Sequence, residues 1–177
     1  MLPAQYYHTF SDETLDEYRR WASVRIDALN HALEGIPPDR VRYHFCWGSQ
    51  NMPHTVDVPL KDIVDVVLEA KVGGHSIEAA NPRHEHEWQV WQDVKLPDWK
   101  VLIPGFVSHA TNIVEHPDLI AWRIRNFASV VGRENVIAST DCGFAQNWAV
   151  RRVHPTIQWA KLEALAEGAR RASKQLW

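Results

Sequence analysis

Four short runs of β-forming residues alternate with helical segments along the 177-residue chain, and this alternation restricts the possible folds more than any other feature. The runs lie at residues 40–47, 75–79, 100–103 and 135–139, and the helical segments at 11–33, 59–70, 85–92, 117–130 and 156–175. Strands that alternate with helices run parallel, because each helix returns the chain to the same end of the sheet. The sequence therefore predicts an α/β fold with a parallel sheet.

Two architectures place helices between parallel strands. A doubly wound open sheet fits this length, whereas a complete (β/α)8 barrel needs at least about 200 residues and eight units. The chain has four units, which would make half a barrel. We treat residues 1–177 as a single domain, in which 1–39 form a leading helix and 40–177 carry the strands. Its 45% of hydrophobic residues suffice for one core.

Charge and cysteine content exclude several classes of protein. Nineteen Lys and Arg residues against 22 Asp and Glu residues give a net charge of −3, so no positive field favours nucleic acid or anionic lipid. No window approaches the roughly 18 apolar residues of a membrane span, and the first residues lack a secretory leader pattern. We therefore expect a cytoplasmic protein. Two cysteines make no disulfide framework, and each is treated as a buried thiol or a metal ligand.

Residues suited to metal binding lie where the predicted strands end. In both architectures, ligands bind at the carboxyl ends of parallel strands. The candidates there are His44, Cys46, Glu78, His109 and Cys142. His44 and Cys46 are two residues apart and share one face of their strand. One imidazole, two thiolates and one carboxylate are typical of a Zn²⁺ site. The alternative is that both cysteines only pack in the core.

Two other sets of residues have weaker signals. The segment 84–87 (His-Glu-His-Glu) lacks the spacing of a metalloprotease helix, and its acidic residues are typical of the start of a helix. The tryptophans near predicted loops either stack on a flat ligand or fill the core; they are Trp47, Trp88, Trp91 and Trp148.

Four motifs resemble, in the same order, motifs in the carboxyl-terminal catalytic half of cobalamin-independent methionine synthases. They are the segments 43–48 (YHFCWG), 76–83 (SIEAANPR), 104–106 (PGF) and 140–144 (TDCGF). The match spans about residues 40 to 145. The segments 115–117 (EHP) and 159–162 (WAKL) are similar to shorter, single-barrel relatives, which include epoxyalkane-coenzyme M transferases.

This resemblance implies a fold, a metal and a set of site residues. The fold is the second half of a (β/α)8 barrel, with four βα units present and the first half absent. The zinc ligands are His44, Cys46, Glu78 and Cys142. The general acid is His109, which stands one place nearer to the preceding glycine than the family pattern has it.

The implied activity is zinc-dependent methyl or alkyl transfer to a thiol, as in the 5-methyltetrahydropteroyltriglutamate-homocysteine S-methyltransferase of methionine biosynthesis. The substrates would be a homocysteine-like thiol and a donor, either a methylated folate or an epoxide. A zinc hydrolase is disfavoured, because two thiolate ligands make metal-bound water less acidic. A further alternative is an inactive half-barrel. Its unpaired strand edges predict a homo-oligomer or pairing with a separate first half-barrel.

Overall fold

The computed structural model describes residues 14–48, 54–145 and 152–177, which contain one four-stranded parallel sheet. The strands are β1 (Arg42–Phe45), β2 (Gly74–Ile77), β3 (Val101–Val107) and β4 (Ser139–Thr140), and their order in the sheet is β1-β2-β3-β4. All three pairings are parallel. The predicted α/β class and the parallel sheet are confirmed.

Helices lie between the strands and at both ends of the described chain. The α-helices are α1 (Leu15–Ala32), α2 (Val64–Leu68), α3 (Pro117–Val131) and α4 (Pro155–Leu176). The 3₁₀ segments are Pro38–Arg40, Leu60–Asp62, Glu85–Gln92 and Arg133–Asn135. Thr14 and Glu17 form a capping box that starts α1, whereas the predicted cap Ser11 lies outside the described residues. A proline at the first helical position starts both α3 and α4.

The predicted boundaries differ most from the structure at three places. The helix predicted over 59–70 is a 3₁₀ turn followed by the five-residue α2. Strand β3 continues beyond Ile103 through Pro104 to Val107. Pro104 is the last residue of β3 that pairs with β2, and the pairing of β3 with β4 shifts register just beyond it. The backbone N–H that proline lacks is therefore missing where the pairing is irregular. Strand β4 starts at Ser139, later than predicted.

The two faces of the sheet have different surroundings. Phe45, Ile77, Leu102 and Phe106 pack in the hydrophobic core with buried residues of all four helices. The neighbouring positions in the strands point to the opposite face. There Arg42 is exposed, and His44, Ser76 and Val101 are only partly buried.

In the described part of the chain, no helix is both long and apolar enough to cross a membrane.

Candidate metal centre

Three potential metal ligands meet at the carboxyl edge of the sheet. His44 lies in β1, Cys46 follows that strand, and Cys142 lies two residues beyond β4. The His44 Nε2 atom is 3.4 Å from the Cys142 Sγ atom, and the ligand atoms of all three residues lie within 4.8 Å of one another. The strands therefore bring together residues that are 98 positions apart in the sequence.

A second group shares Cys142 with the first. It consists of Glu78, His109 and Cys142, whose ligand atoms also lie within 4.8 Å of one another. The Nδ1 atom of His109 is 3.8 Å from Oε1 of Glu78. The two groups together contain all five predicted site residues, and Cys142 belongs to both. In residues 14–48, 54–145 and 152–177, these two groups are the ones with three or more possible ligands in reach of one ion.

Neighbouring residues orient the side chains of both groups. The Nδ1 atom of His44 is hydrogen-bonded to the Ser76 hydroxyl at 2.9 Å, which leaves Nε2 facing Cys142. The backbone N–H of Trp47 donates to Oε2 of Glu78 at 3.3 Å. Ser76 stands opposite His44 in the register of β1 and β2. Ser76 is not among the site residues predicted from the sequence, because strand register cannot be predicted from local patterns.

Asp141 connects the ends of two strands beside the centre. Its Oδ1 atom accepts hydrogen bonds from the backbone N–H groups of Ala79 and Ala80, both at 2.8 Å. This fixes the segment after Glu78 against the residue that precedes Cys142. Gly105 permits the arrangement, because a Cβ atom there would collide with Asp141. Burial raises the pKa of Asp141 to about 7, although both backbone hydrogen bonds oppose this.

The hydrogen bond between the two thiols shifts their pKa values in opposite directions. A hydrogen bond from Cys142 lowers the pKa of Cys46 to about 5, against the effect of burial and with support from His44. The same hydrogen bond, together with burial, raises the pKa of Cys142. The negative charge of a Cys46 thiolate also raises the pKa of Cys142, because a second negative charge beside the first is unfavourable. A divalent cation would stabilise both thiolates at once.

The remaining groups of the centre fit the same donor chemistry. Burial raises the pKa of Glu78 to about 8, and the charges of Asp141 and Cys46 add to this. Burial also lowers the pKa of His109 to about 4, with a further contribution from the charge of Arg152. The imidazole of His44, the thiols of Cys46 and Cys142 and the carboxylate of Glu78 are donor types that Zn²⁺ binds in proteins. The residues present therefore fit a zinc ion.

The segment 84–87 starts a helix as predicted, the 3₁₀ segment Glu85–Gln92, but His84 and Glu87 are buried instead of exposed. His84 is buried, and its ring is hydrogen-bonded to Oδ2 of Asp57 at 3.1 Å and to Oε2 of Glu87 at 2.8 Å. The ring also stacks on Trp47, with 3.6 Å between the ring centroids. Trp47 is buried in the core, which favours the packing alternative for this residue. Trp148 lies outside the described residues.

The fold and the position of the centre define a class: half of a (β/α)8 barrel with a His/Cys cluster at its carboxyl edge. No family model matches the chain. The chain is 24% identical over 178 residues to 2-hydroxypropyl-CoM lyase of Xanthobacter autotrophicus, a match that covers 86% of this chain and 45% of the relative. A solved structure of a B12-independent methionine synthase from Shewanella sp. W3-18-1, in complex with selenomethionine, is similar with a TM-score of 0.69 and 20% identity. That match covers 92% of this chain and 46% of the methionine synthase.

These comparisons confirm the predicted resemblance to methionine synthases and their epoxyalkane-coenzyme M transferase-like relatives, and they confirm the half-barrel fold. The chain spans about half the length of both proteins.

Proposed function

We propose that this chain carries the metal centre of a zinc-dependent enzyme that transfers a methyl or alkyl group to a thiol. The observation that carries the proposal is the cluster of His44, Cys46 and Cys142 beside Glu78 and His109. The similarity to a methionine synthase and to a lyase of 2-hydroxypropyl-CoM supports the same chemistry, because both names refer to compounds with a carbon-sulfur bond. Cys46 and Cys142 form no disulfide. Thiols stay reduced in the cytoplasm, which supports a cytoplasmic location.

Zinc would be held by His44, Cys46, Glu78 and Cys142. When bound, it lowers the pKa of a coordinated substrate thiol, so that the sulfur is a nucleophile at neutral pH. Ser76 holds the His44 ring in place, and the Trp47 N–H holds Glu78. These two ligands are therefore oriented before substrate arrives, which lowers the cost of reaching the reactive geometry.

His109 is proposed as the group that moves the proton. In the reaction a carbon-sulfur bond forms while the donor's carbon-nitrogen bond (methylated folate) or carbon-oxygen bond (epoxide) breaks, and the leaving atom takes up the proton that the thiol has lost. His109 lies 3.8 Å from Glu78 and is 3% exposed, so this proton is handled away from bulk water. Because burial lowers the pKa of His109, its imidazole is uncharged near neutral pH, so we propose that it first accepts the proton of the thiol and then donates it to the leaving atom.

We further propose that the centre works together with four further strands, supplied either by a second copy of the chain or by a separate first half-barrel. The chain spans about half of the two proteins it resembles. Strands β1 and β4 stand at the ends of the strand order. Parallel sheets are covered on both faces in stable proteins, which supports a partner on the side of His44 and Ser76.

Metal analysis and cobalt substitution test this function. We expect protein purified without chelator to carry about one zinc ion per chain, and cobalt-substituted protein to change its sulfur-to-metal absorption when homocysteine or 2-mercaptoethanesulfonate is added. Protein that is folded but free of zinc would contradict the proposal. Bound cobalt with no response to either thiol would favour the hydrolase alternative.

The assignment of the fourth ligand is tested with two substitutions. Glu78→Gln is expected to lower zinc affinity by about 10- to 100-fold, and His109→Asn to leave it nearly unchanged, since only Glu78 is proposed as a ligand. Glu69→Gln, an exposed glutamate after α2, is the control. The opposite result, zinc lost from His109→Asn and kept by Glu78→Gln, would make His109 the ligand.

A further inference from the structure

We propose that the buried ion pair between Glu115 and Lys161 positions His109 at the centre. The functional part of this inference rests on the role proposed for His109, whereas the geometric part does not. Lys161 lies in α4, and Glu115 lies in the loop of residues 108–116 that connects β3 to α3. We call this segment the 108–116 loop. It carries His109 as its second residue.

Both oxygens of the Glu115 carboxylate hold this loop. Oε1 accepts a hydrogen bond from the backbone N–H of Ser108 at 2.7 Å, and Oε2 accepts one from Nζ of Lys161 at 2.8 Å. Lys161 also donates to the carbonyl oxygen of Ile113 in the same loop. The loop is therefore attached to α4 at two points, and its first residue is held through the same carboxylate.

These contacts fix the backbone on both sides of His109. Ser108, which precedes it, is held by Glu115. The hydroxyl of Ser108 in turn accepts a hydrogen bond from the N–H of Ala110, which follows His109, at 3.2 Å. The imidazole is thus held close to Glu78, at 3.8 Å between Nδ1 and Oε1.

Stability alone does not account for this ion pair. Lys161 has no exposed surface and Glu115 is buried, so both charges have lost their hydration. An apolar pair of similar volume is often as stable as a buried ion pair or more so, whereas an ion pair with additional hydrogen bonds fixes one geometry. The benefit of this pair is the placement of the loop, and Glu115 and Lys161 are positioning residues.

The test is the Lys161→Met variant, which keeps the apolar stem of the side chain and removes its charge. Modification of each histidine by diethyl pyrocarbonate is measured by peptide mass spectrometry on zinc-loaded protein. We expect His109 to be protected in the unsubstituted protein and to react in the variant nearly as fast as His116, whose side chain is 71% exposed. Zinc content is expected to stay the same.

Lys100→Met is the matched control. Lys100 is also a buried lysine that donates to a backbone carbonyl, but it precedes β3 and so lies at the opposite end of that strand from His109. We expect this variant to lose stability while His109 stays protected. If Lys161→Met unfolds the protein, Glu115→Gln replaces it, because the amide keeps the shape of the side chain and loses the charge.

The functional part is measured with two alkyl donors. An epoxide needs a proton on its leaving oxygen, whereas iodomethane releases iodide and needs none. Lys161→Met is expected to slow thiol alkylation by the epoxide about 10- to 100-fold and to leave alkylation by iodomethane nearly unchanged. Equal losses with both donors would overturn the functional part.

Continued protection of His109 in a folded variant would overturn the whole inference. If the unsubstituted protein alkylates no thiol, the proposed function fails. The geometric part is then decided by the protection of His109 alone.

Discussion

Cys142 is the residue that connects the two halves of the candidate centre. Its sulfur lies within reach of His44 and Cys46 on one side and of Glu78 and His109 on the other. The hydrogen bond to Cys46 and burial both raise the pKa of Cys142. The chemistry of the centre therefore depends on one small side chain.

His84 provides a pH-dependent contribution to stability outside the centre. Burial alone lowers the pKa of His84, but hydrogen bonds to Asp57 and Glu87 and the charges of both carboxylates outweigh it and raise this pKa to about 9. The ordinary value is 6.5. Because the pKa of His84 is higher in the folded state, protonation of His84 stabilises the folded protein. This stabilisation is complete below pH 6.5 and is lost as the pH rises through about 9.

The prediction concerns the His84→Gln variant. Its unfolding free energy is expected to be lower than that of the unsubstituted protein by a few kcal/mol at pH 6, since each pKa unit corresponds to about 1.4 kcal/mol. This difference should shrink between pH 6.5 and 9.5, and urea unfolding at several pH values measures it. His86→Gln, an exposed neighbour, is the control. A difference that is constant with pH would show that His84 is not charged in the folded protein.

At the scale of elements, the strand ends decide where the site lies. Each of β1, β2, β3 and β4 is followed within two residues by a side chain of the centre, because parallel strands all finish at one edge. Asp141 then holds two of these ends together. The part of the centre that contains Glu78 and Cys142 thus depends on how strands β2, β3 and β4 approach one another.

Gly105→Ala tests this approach. A methyl group at this position collides with Asp141, so we expect a loss of about 1–3 kcal/mol in unfolding free energy and weaker zinc binding. Thermal unfolding and zinc titration measure the two effects. Gly143→Ala is the control, because its Cβ meets open space although it lies next to Cys142. Unchanged zinc affinity in a destabilised Gly105→Ala protein would separate the Asp141 contact from metal binding.

The order of elements could be predicted from the sequence because the spacing of apolar residues, and the glycine and proline residues that separate the elements, are local signals. It placed His44, Cys46, Glu78 and Cys142 together because strand ends converge. It failed at β3, where Pro104 marks a pairing irregularity instead of the end of the strand.

Other features were beyond sequence reasoning because they depend on contacts between distant segments. The bond between Ser76 and His44 depends on strand register. The Lys161–Glu115 pair depends on how α4 packs against a loop 46 residues earlier.

For the molecule as a whole, the half-barrel predicts association. The outer strands β1 and β4 each pair with one neighbour in the described chain, and Ile137, just before β4, is 38% exposed. Unpaired edges and exposed apolar residues favour pairing with further strands. We expect zinc-loaded protein to sediment as a dimer or larger assembly at micromolar concentration.

A charge at this edge should weaken the assembly. Ile137→Glu is expected to shift the sedimentation profile toward monomer, because it places a carboxylate beside β4. Val24→Glu, at a position of α1 that is 64% exposed, is the control and should leave the profile unchanged. A monomeric unsubstituted protein with cooperative unfolding would contradict the prediction.

All proposed donors to the metal lie at the ends of three of the four strands, β1, β2 and β4, between residues 44 and 142. The part of the molecule proposed to activate the substrate thiol therefore lies in one continuous stretch of the sequence. If a second copy or a separate half-barrel completes the site, as proposed, that partner would contact the rest of the substrate. We then expect that exchanging the partner changes which substrate is used, while the metal ligands stay the same.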